Sequence, residues 1–154
     1  MALLKSDLGN EYEAEKYYTK ALSITKQING ISHTSYASIL SNMGNFYLVM
    51  NNYSKAKNCF EQALEIAKKV SGENSSYYAL VLENLAVLHK RTGEYLISEN
   101  IFIEALRIHE RIFGKTSKNY STTLNNLAGI YSKQKNYEKA NKLYLESEVI
   151  TKNI

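Results

Sequence analysis

The sequence predicts an all-α fold, an α-solenoid of antiparallel helical hairpins. The first observation is a repeat of 42 residues that runs along the chain of 154 residues. A fixed period of roughly 20 to 50 residues is typical of solenoids, whose units stack on their neighbours. The second is that apolar residues recur at steps of three and four, the spacing of one helix face. One column of the repeat holds small residues: Ala14, Ala56, Ser98 and Ala140.

Each repeat is predicted to form two helices, which we call helix A and helix B. In residues 34–75, the apolar face of helix A comprises Tyr36, Leu40, Met43, Tyr47 and Met50. The apolar face of helix B comprises Tyr53, Ala56, Phe60, Ala63, Leu64, Ala67 and Val70. Because each helix has one apolar face and the segment between them is short, an antiparallel hairpin is favoured.

Turns and caps are predicted at fixed columns of the repeat. The turn between helices A and B falls on Gly9, Asn51, Gly93 and Lys135, mostly residues that adopt positive φ readily. Lysine is the exception, and we expect the neighbouring Asn136 to take over its role. Between repeats, the expected C-caps are Gly30, Gly72 and Gly114, and the candidate N-caps are Thr34, Ser75, Ser76 and Ser117.

The repeat register defines a single array segment, residues 1–154. It comprises a partial repeat at 1–33 and repeats at 34–75, 76–118 and 119–154. Met1 aligns with the middle of helix A, and Leu143, Leu145 and Ile150 form an apolar edge in the last repeat. Solenoids usually carry polar capping units at their ends. We therefore expect a segment of a longer array, or ends that another copy covers.

Composition and charge narrow the classes of function. No apolar run approaches the roughly 20 residues that cross a bilayer, and the first residues lack an export signal. Cys59 is the only cysteine and lies in an apolar column, which predicts a buried, inert thiol and fits a reducing compartment. The net charge of +4 is spread thinly, unlike a nucleic-acid-binding patch. We expect a cytoplasmic protein that binds neither membrane nor nucleic acid.

Two column patterns carry a family resemblance. Helix A reads Leu-(Gly/Ala)-x-x-Tyr and helix B reads Tyr-x-x-Ala-x-x-x-(Phe/Tyr)-x-x-Ala, a combination that resembles the tetratricopeptide repeat. The clearest instance is Asn126–Tyr131 followed by Tyr137–Ala140. The 42-residue length resembles the kinesin light chain type more than the common type of about 34 residues. The resemblance implies a right-handed superhelix whose A helices line a concave groove.

One stripe of each A helix is predicted to be free of core contacts and is the candidate peptide-binding surface. The stripe comprises Ser38, Asn42, Asn45 and Val49, then Leu80, Asn84, Val87 and Arg91, then Thr122, Asn126, Gly129 and Lys133. Asn42, Asn84 and Asn126 form a ladder of amides that can pair with the backbone of an extended peptide. Kinesin light chain type repeats are similar in using a groove asparagine this way. The alternative is that each amide hydrogen-bonds within the neighbouring helix pair and orients the stack.

Charged residues near this stripe indicate what it would bind. Lys90, Arg91 and Lys133 bias one end of the groove toward acidic ligands, although a solvated helix face accounts for them equally well. Gly44-Asn45 resembles the start of the carboxylate clamp that holds a chaperone C-terminus. The positions where that clamp needs cations are occupied by Glu83, Val87, Asn125 and Gly129. We expect no clamp.

No motif for catalysis, a cofactor or a metal is present in the sequence. It has no glycine-rich phosphate loop, and His33, His89 and His109 lack metal-ligand spacing and a neighbouring nucleophile motif. We expect structural roles for all three and no enzyme. Two functions remain: a protein–protein interaction scaffold that binds a peptide segment of a partner, or a structural element that forms a homo-oligomer through its terminal helices. RNA binding ranks far behind because no basic or stacking column is seen.

Overall fold

The computed structural model describes the backbone of residues 2–153 and the side chains of residues 11–153. All regular structure in this range is helical, as predicted. The helices are α1 (Ala2–Asn29), α2 (Thr34–Val49), α3 (Tyr53–Ser71), α4 (Ser76–Arg91), α5 (Tyr95–Phe113), α6 (Lys118–Lys133) and α7 (Tyr137–Lys152). Contacts between residues divide the chain into two compact units, Met1–Val70 and Ser71–Ile154. Helices α2, α4 and α6 are of type A, and α3, α5 and α7 are of type B.

The predicted turn between the first two helices, at Gly9, is wrong. Helix α1 continues through this position without interruption from Ala2 to Asn29. Extending an existing helix adds one backbone hydrogen bond per residue at no new nucleation cost, so continuation is favoured over a turn. A glycine in the turn column permits a turn but does not impose one.

The other predicted turns form, but one differs from the prediction. Asn51, Gly93 and Lys135 have φ of 57°, 82° and 62°, whereas Asn136 has φ of −87°. Lys135 itself is therefore left-handed, and the expectation for Asn136 is wrong. The Asn136 amide donates to the Tyr131 carbonyl at 2.8 Å, a Schellman bond that requires positive φ at the residue before it. The Asn136 side chain instead caps α7.

The junctions between repeats use glycine to end one helix and a side chain to cap the next. The predicted C-caps are confirmed, since Gly30, Gly72 and Gly114 all have φ near 79°. Among the N-cap candidates, Ser75 and Ser117 are confirmed: their hydroxyls accept from amides in the first turns of α4 and α6.

Two N-cap candidates are wrong by one residue. Thr34 and Ser76 are the first residues of α2 and α4 rather than their caps. The cap of α2 is His33, whose Nδ1 accepts from the Ser35 amide at 3.1 Å. His33 occupies the same column as Ser75, where extended backbone turns the side chain toward the first free amides.

In the first unit, α2 packs closely against α3 and is tied to α1. A Cβ atom added to Gly44 in α2 would lie 2.5 Å from the ring of Phe60 in α3, which is fully buried. The Tyr47 hydroxyl donates to Glu15 of α1 at 2.6 Å. Cys59 is buried as predicted, and burial raises the pKa of its thiol to about 11.

In the second unit, buried residues of four helices form two clusters. The larger comprises Ala86, Phe102, Leu127, Ile130, Tyr131 and Ala140. The smaller comprises Tyr120, Leu124 and Ile150. Buried hydroxyls complete the packing, since the Ser98 hydroxyl of α5 donates to the Ala86 carbonyl of α4 at 2.6 Å. The small-residue columns thus let helices approach closely, as predicted.

Candidate functional site

Helices α4 and α6 lie side by side and run in the same direction. Near one end, the Thr123 hydroxyl of α6 donates to the Glu83 carboxylate of α4. Near the other end, Lys133 of α6 is close enough to Lys90 of α4 to contribute to lowering the pKa of Lys90. These links join residues 40 and 43 positions apart, both close to the 42-residue period. The two predicted stripes are therefore neighbours.

We call the face that carries these stripes the α4–α6 surface. It comprises Leu80, Asn84, Val87 and Arg91 of α4 and Thr122, Asn126, Gly129 and Lys133 of α6. From Leu80 to Arg91 the surface extends about 16 Å along the helix axis, at about 1.5 Å per residue. In the first unit, α2 carries the corresponding Ser38, Asn42, Asn45 and Val49.

The ladder asparagines have amides that form no hydrogen bonds within the described part of the chain. Asn84 and Asn126 are half-buried on the α4–α6 surface, and Asn42 is exposed on α2. No hydrogen bond to any of these three amides is formed among the side chains and backbone of residues 11–153. The alternative, in which each amide orients the helix stack, requires such hydrogen bonds. Each amide therefore keeps its donor and acceptor capacity for solvent or a ligand.

The remaining stripe residues differ in how far they are available. The hydroxyls of Ser38 and Thr122 donate to carbonyls one turn earlier in their own helices, both at 2.9 Å. Val87 packs against the larger core cluster, so its predicted freedom from core contacts is wrong. Its side chain is half-buried because of this contact. Leu80 and Val49 are exposed apolar side chains.

Three cations meet at the C-terminal end of the α4–α6 surface. Lys90 is half-buried, whereas Arg91 and Lys133 are exposed. Burial, followed by the charges of Arg91 and Lys133, lowers the pKa of Lys90. The like charges repel one another, so an anion placed among them would be stabilised. Asn45 on α2 is half-buried and has no comparable cluster beside it on its own helix.

A polar cluster that the sequence analysis missed lies toward the other end of this surface. The side chain of His109, on α5, is only 4% exposed, and its Nε2 lies 3.6 Å from Oε2 of Glu83. Neither ring nitrogen has a hydrogen-bond partner in the described part of the chain. Both residues line a cavity of about 420 Å³ between α4, α5 and α6, together with Tyr77, Leu80 and Phe113. The cluster draws on three helices, so no local motif reveals it.

The other two histidines have the structural roles that we expected. His33 caps α2, and His89 is buried with its Nδ1 2.7 Å from Oε2 of Glu94. Within the described residues, no group of three His, Cys, Asp or Glu side chains could hold a metal ion. None of the helices described has the length and apolar character needed to cross a membrane.

The apolar edge predicted in the last repeat is only partly exposed. Ile150 belongs to the smaller core cluster, and Leu143 packs against both clusters, so these two residues are not available. Their side chains face α6 because they lie on the inner face of α7. Leu145 is 62% exposed, and Val149 beside it on the next turn is similarly exposed. Together with Tyr144 they form a small apolar face on α7.

Solved structures with the same arrangement of helices include tetratricopeptide-type solenoids. BtubC (BKLC) from P. vanneervenii is 25% identical and superposes with a TM-score of 0.85 over 99% of this chain and 60% of that chain. A putative kinesin light chain repeat protein of Podospora anserina is 15% identical, with a TM-score of 0.74 over 93% of this chain and 68% of that one. The apo form of RapI is 21% identical, with a TM-score of 0.78 over 96% and 39%.

The chain thus spans about three fifths of BtubC and two fifths of RapI. No curated protein matches the sequence. The family model of the tetratricopeptide repeat matches residues 1–69 and 77–150, which is nearly the whole chain. With its 42-residue hairpins and all-α solenoid fold, the chain belongs to the tetratricopeptide repeat family, in the form seen in kinesin light chain-like repeats.

Proposed function

We propose that the chain is a protein–protein interaction scaffold that holds an extended peptide segment of a partner on the stripes of its A helices. The observation that carries this proposal is the pair of Asn84 and Asn126 on the α4–α6 surface, whose amides have no hydrogen-bond partner within the described chain; Asn42 is the corresponding exposed asparagine of the first unit. Tetratricopeptide repeats generally bind protein partners, which supports the class of ligand. We expect no catalytic activity.

Peptide backbone is the ligand that an amide ladder suits best. Every residue of an extended peptide except proline offers one N–H donor and one carbonyl acceptor, and an asparagine side chain offers both in return. Because the period places the same amide at each repeat, the contact repeats without reading the peptide's side chains. The cations Lys90, Arg91 and Lys133 add a preference for acidic residues at one end.

The proposal is tested by selecting 12-residue peptides from a random display library on the wild-type chain and measuring the affinity of a fluorescein-labelled selected peptide. One hydrogen bond lost from each of two amides costs about 2 kcal/mol, so Asn84→Ala with Asn126→Ala should weaken binding roughly 30-fold. The matched control is Asn100→Ala with Asn141→Ala, the same change at exposed asparagines of α5 and α7. Equal affinity of the ladder and control variants would contradict the proposal.

A change in the ligand gives a second test of the same contact. Methylation of a single backbone nitrogen removes one donor from the peptide and keeps its side chains. At the peptide positions that face Asn84 and Asn126, it should weaken binding roughly fivefold to tenfold, since one neutral hydrogen bond contributes about 1 kcal/mol. At a position that points to solvent it should have no effect. A ligand recognised only through side chains would show no such dependence on position.

Self-association is the second candidate function, and the exposed face of α7 favours it. Leu145 aligns with Ile103 of α5, which packs against the larger core cluster. A further helix of type A would cover Leu145 in the same way, with Val149 on the next turn beside it. Sedimentation should then show a dimer that Leu145→Glu with Val149→Glu converts to a monomer. A monomeric wild-type chain at 0.1–1 mM, on the order of the concentrations used for NMR, would exclude this function.

A further inference from the structure

We propose that the cavity between α4, α5 and α6 binds a cationic side chain, an arginine or a lysine, of the peptide held on the α4–α6 surface. This inference rests on the proposed function and names the side chain that the surface would select. The cavity opens beside Leu80 and Thr122, both on the predicted stripe, and has a volume of about 420 Å³. A water molecule takes about 30 Å³ of liquid volume, so the cavity has room for the longest side chains.

Glu83 gives the cavity its charge. It is the one acidic or basic residue among the described residues that line the cavity, apart from the imidazole of His109. Its side chain is 16% exposed, and no lysine or arginine of the described chain forms an ion pair with it. A largely buried carboxylate whose neighbour is an imidazole 3.6 Å away rather than a lysine or arginine would be stabilised by a cationic ligand.

The hydrogen bonds of the cluster leave one oxygen of Glu83 available. Oε1 accepts from the Thr123 hydroxyl, which fixes the orientation of the carboxylate. Oε2 faces His109 Nε2 at 3.6 Å, beyond hydrogen-bond distance, and both ring nitrogens of His109 are buried without partners in the described residues. A guanidinium has five N–H donors in a plane, so it can reach Oε2 and a ring nitrogen at the same time.

The walls of the cavity suit the rest of a cationic side chain. Tyr77 and Phe113 contribute aromatic rings, whose faces attract cations. Leu80 is 50% exposed at the entrance and offers an apolar surface to the methylene groups of an arginine or lysine. An apolar ligand residue would match these walls but would leave Glu83 and His109 buried against a group that cannot pair with them.

The two ends of the α4–α6 surface thus favour opposite charges. Glu83 and Lys90 are seven residues apart in α4, about 10 Å along the helix axis. An extended peptide covers that distance in about three residues. A peptide that runs along the α4–α6 surface would place a basic residue at the cavity. An acidic residue three or four positions away would then lie among Lys90, Arg91 and Lys133.

Small probes test the cavity without any partner. Acetyl-arginine methylamide and its neutral analogue acetyl-citrulline methylamide are titrated into the ¹⁵N-labelled chain, and amide shifts are followed by NMR. We expect saturable shifts around Glu83, His109 and Thr123 with the arginine probe, and affinity at least tenfold weaker with the citrulline probe. Glu83→Gln should weaken arginine binding at least tenfold, whereas Glu104→Gln, an exposed carboxylate on the same unit, should leave it unchanged.

Several results would overturn the inference. Equal affinity for the two probes, an absence of saturable shifts at the three residues, or an unchanged affinity in Glu83→Gln would each do so. If Glu83→Gln proves unfolded by circular dichroism, the comparison of arginine with citrulline on the wild-type chain decides alone. Selected peptides that need the ladder amides but bind without a basic residue would overturn this inference and leave the proposed function in place. If the arginine probe binds but the ladder variants bind selected peptides as tightly as the wild type does, the proposed function is contradicted and arginine binding by the cavity stays in place.

Discussion

Gly44 should be a position where adding a single methyl group destabilises the protein. In the Gly44→Ala variant, the new Cβ would lie 2.5 Å from one atom and 2.7 Å from another atom of the Phe60 ring. Ordinary contacts between carbon atoms begin near 3.5 Å, so the two groups must separate by about 1 Å. Phe60 is fully buried and cannot move into solvent, so α2 and α3 have to move apart.

The expected loss is the difference between two opposing effects. Overpacking of a core by one methyl group costs roughly 2–3 kcal/mol when the surroundings are rigid. Replacing glycine by alanine inside a helix returns about 1 kcal/mol through helix propensity. The net loss should therefore be about 1–2 kcal/mol. In the second unit, the columns of Gly44 and Phe60 hold Ala86 and Phe102, which belong to one core cluster. A hairpin of this type can therefore accommodate an alanine beside the phenylalanine, and this limits the cost.

Urea unfolding followed by circular dichroism at 222 nm measures this loss as a lower midpoint. Gly129→Ala is the matched control, because its Cβ would meet only the Tyr144 hydroxyl at 3.7 Å. This control should raise stability by about 0.5–1 kcal/mol. Adding Phe60→Leu should reduce the penalty of Gly44→Ala, since the pair are in contact and their effects couple. A Gly44→Ala variant as stable as Gly129→Ala would refute the reasoning.

Three further results are expected. Burial and a hydrogen bond to Glu99 raise the pKa of Tyr131 to about 12, above the value near 10 in an unfolded chain. The stability advantage of the wild type over Tyr131→Phe should thus be complete below pH 10 and disappear as the pH rises through 12, as measured by urea unfolding. Burial raises the pKa of Cys59 to about 11, so at pH 8 its reaction with Ellman's reagent should be at least about a hundredfold slower than in unfolded chain. Calorimetry with a peptide ending in Glu-Glu-Val-Asp should give no saturable binding, and micromolar affinity would contradict the absence of a carboxylate clamp.

Local features of this fold are predictable from the sequence because each depends on residues within one or two helical turns. The C-cap glycines follow from a column of three identical residues, and the caps at Ser75 and Ser117 follow from their hydroxyls. The cap at His33 is missed because histidine is not among the preferred N-cap residues, although the register places it in the same column. The turn at Gly9 fails for another reason: the column residue permits a turn, but continuing the existing helix adds backbone hydrogen bonds at no new nucleation cost.

The sequence predicts which helical positions of the candidate surface face outward. It does not predict which of them also contact the core, or where a cavity lies. Helical spacing places Asn84 and Asn126 outward, and neither amide forms a hydrogen bond with the other described residues. The spacing of residues along a helix cannot show that Val87 packs against the larger core cluster, because that contact depends on the angle between α4 and its neighbours. Nor can it show that Glu83 and His109, 26 positions apart on two helices, meet in one cavity.

Some polar residues differ from the residues at the same column of the other repeats. They fall into two groups, according to whether their polar atoms are hydrogen-bonded within the described chain. Ser121 and Ser147 depart from the alanines at the same columns of other repeats, yet their hydroxyls bond each other at 2.7 Å, and Ser121 also bonds Thr151 at 3.0 Å, so they need no ligand. Glu83 and His109 also differ from the residues at their columns, but both ring nitrogens of His109 stay buried without a hydrogen-bond partner among the described residues. Loss of periodicity alone indicates a local repacking. Loss of periodicity with unpaired buried polar atoms beside a cavity favours recognition, because a group that enters the cavity, a ligand or water, has to complete the hydrogen bonds. On this criterion, the buried polar atoms beside the cavity support the proposal that it binds a cationic side chain.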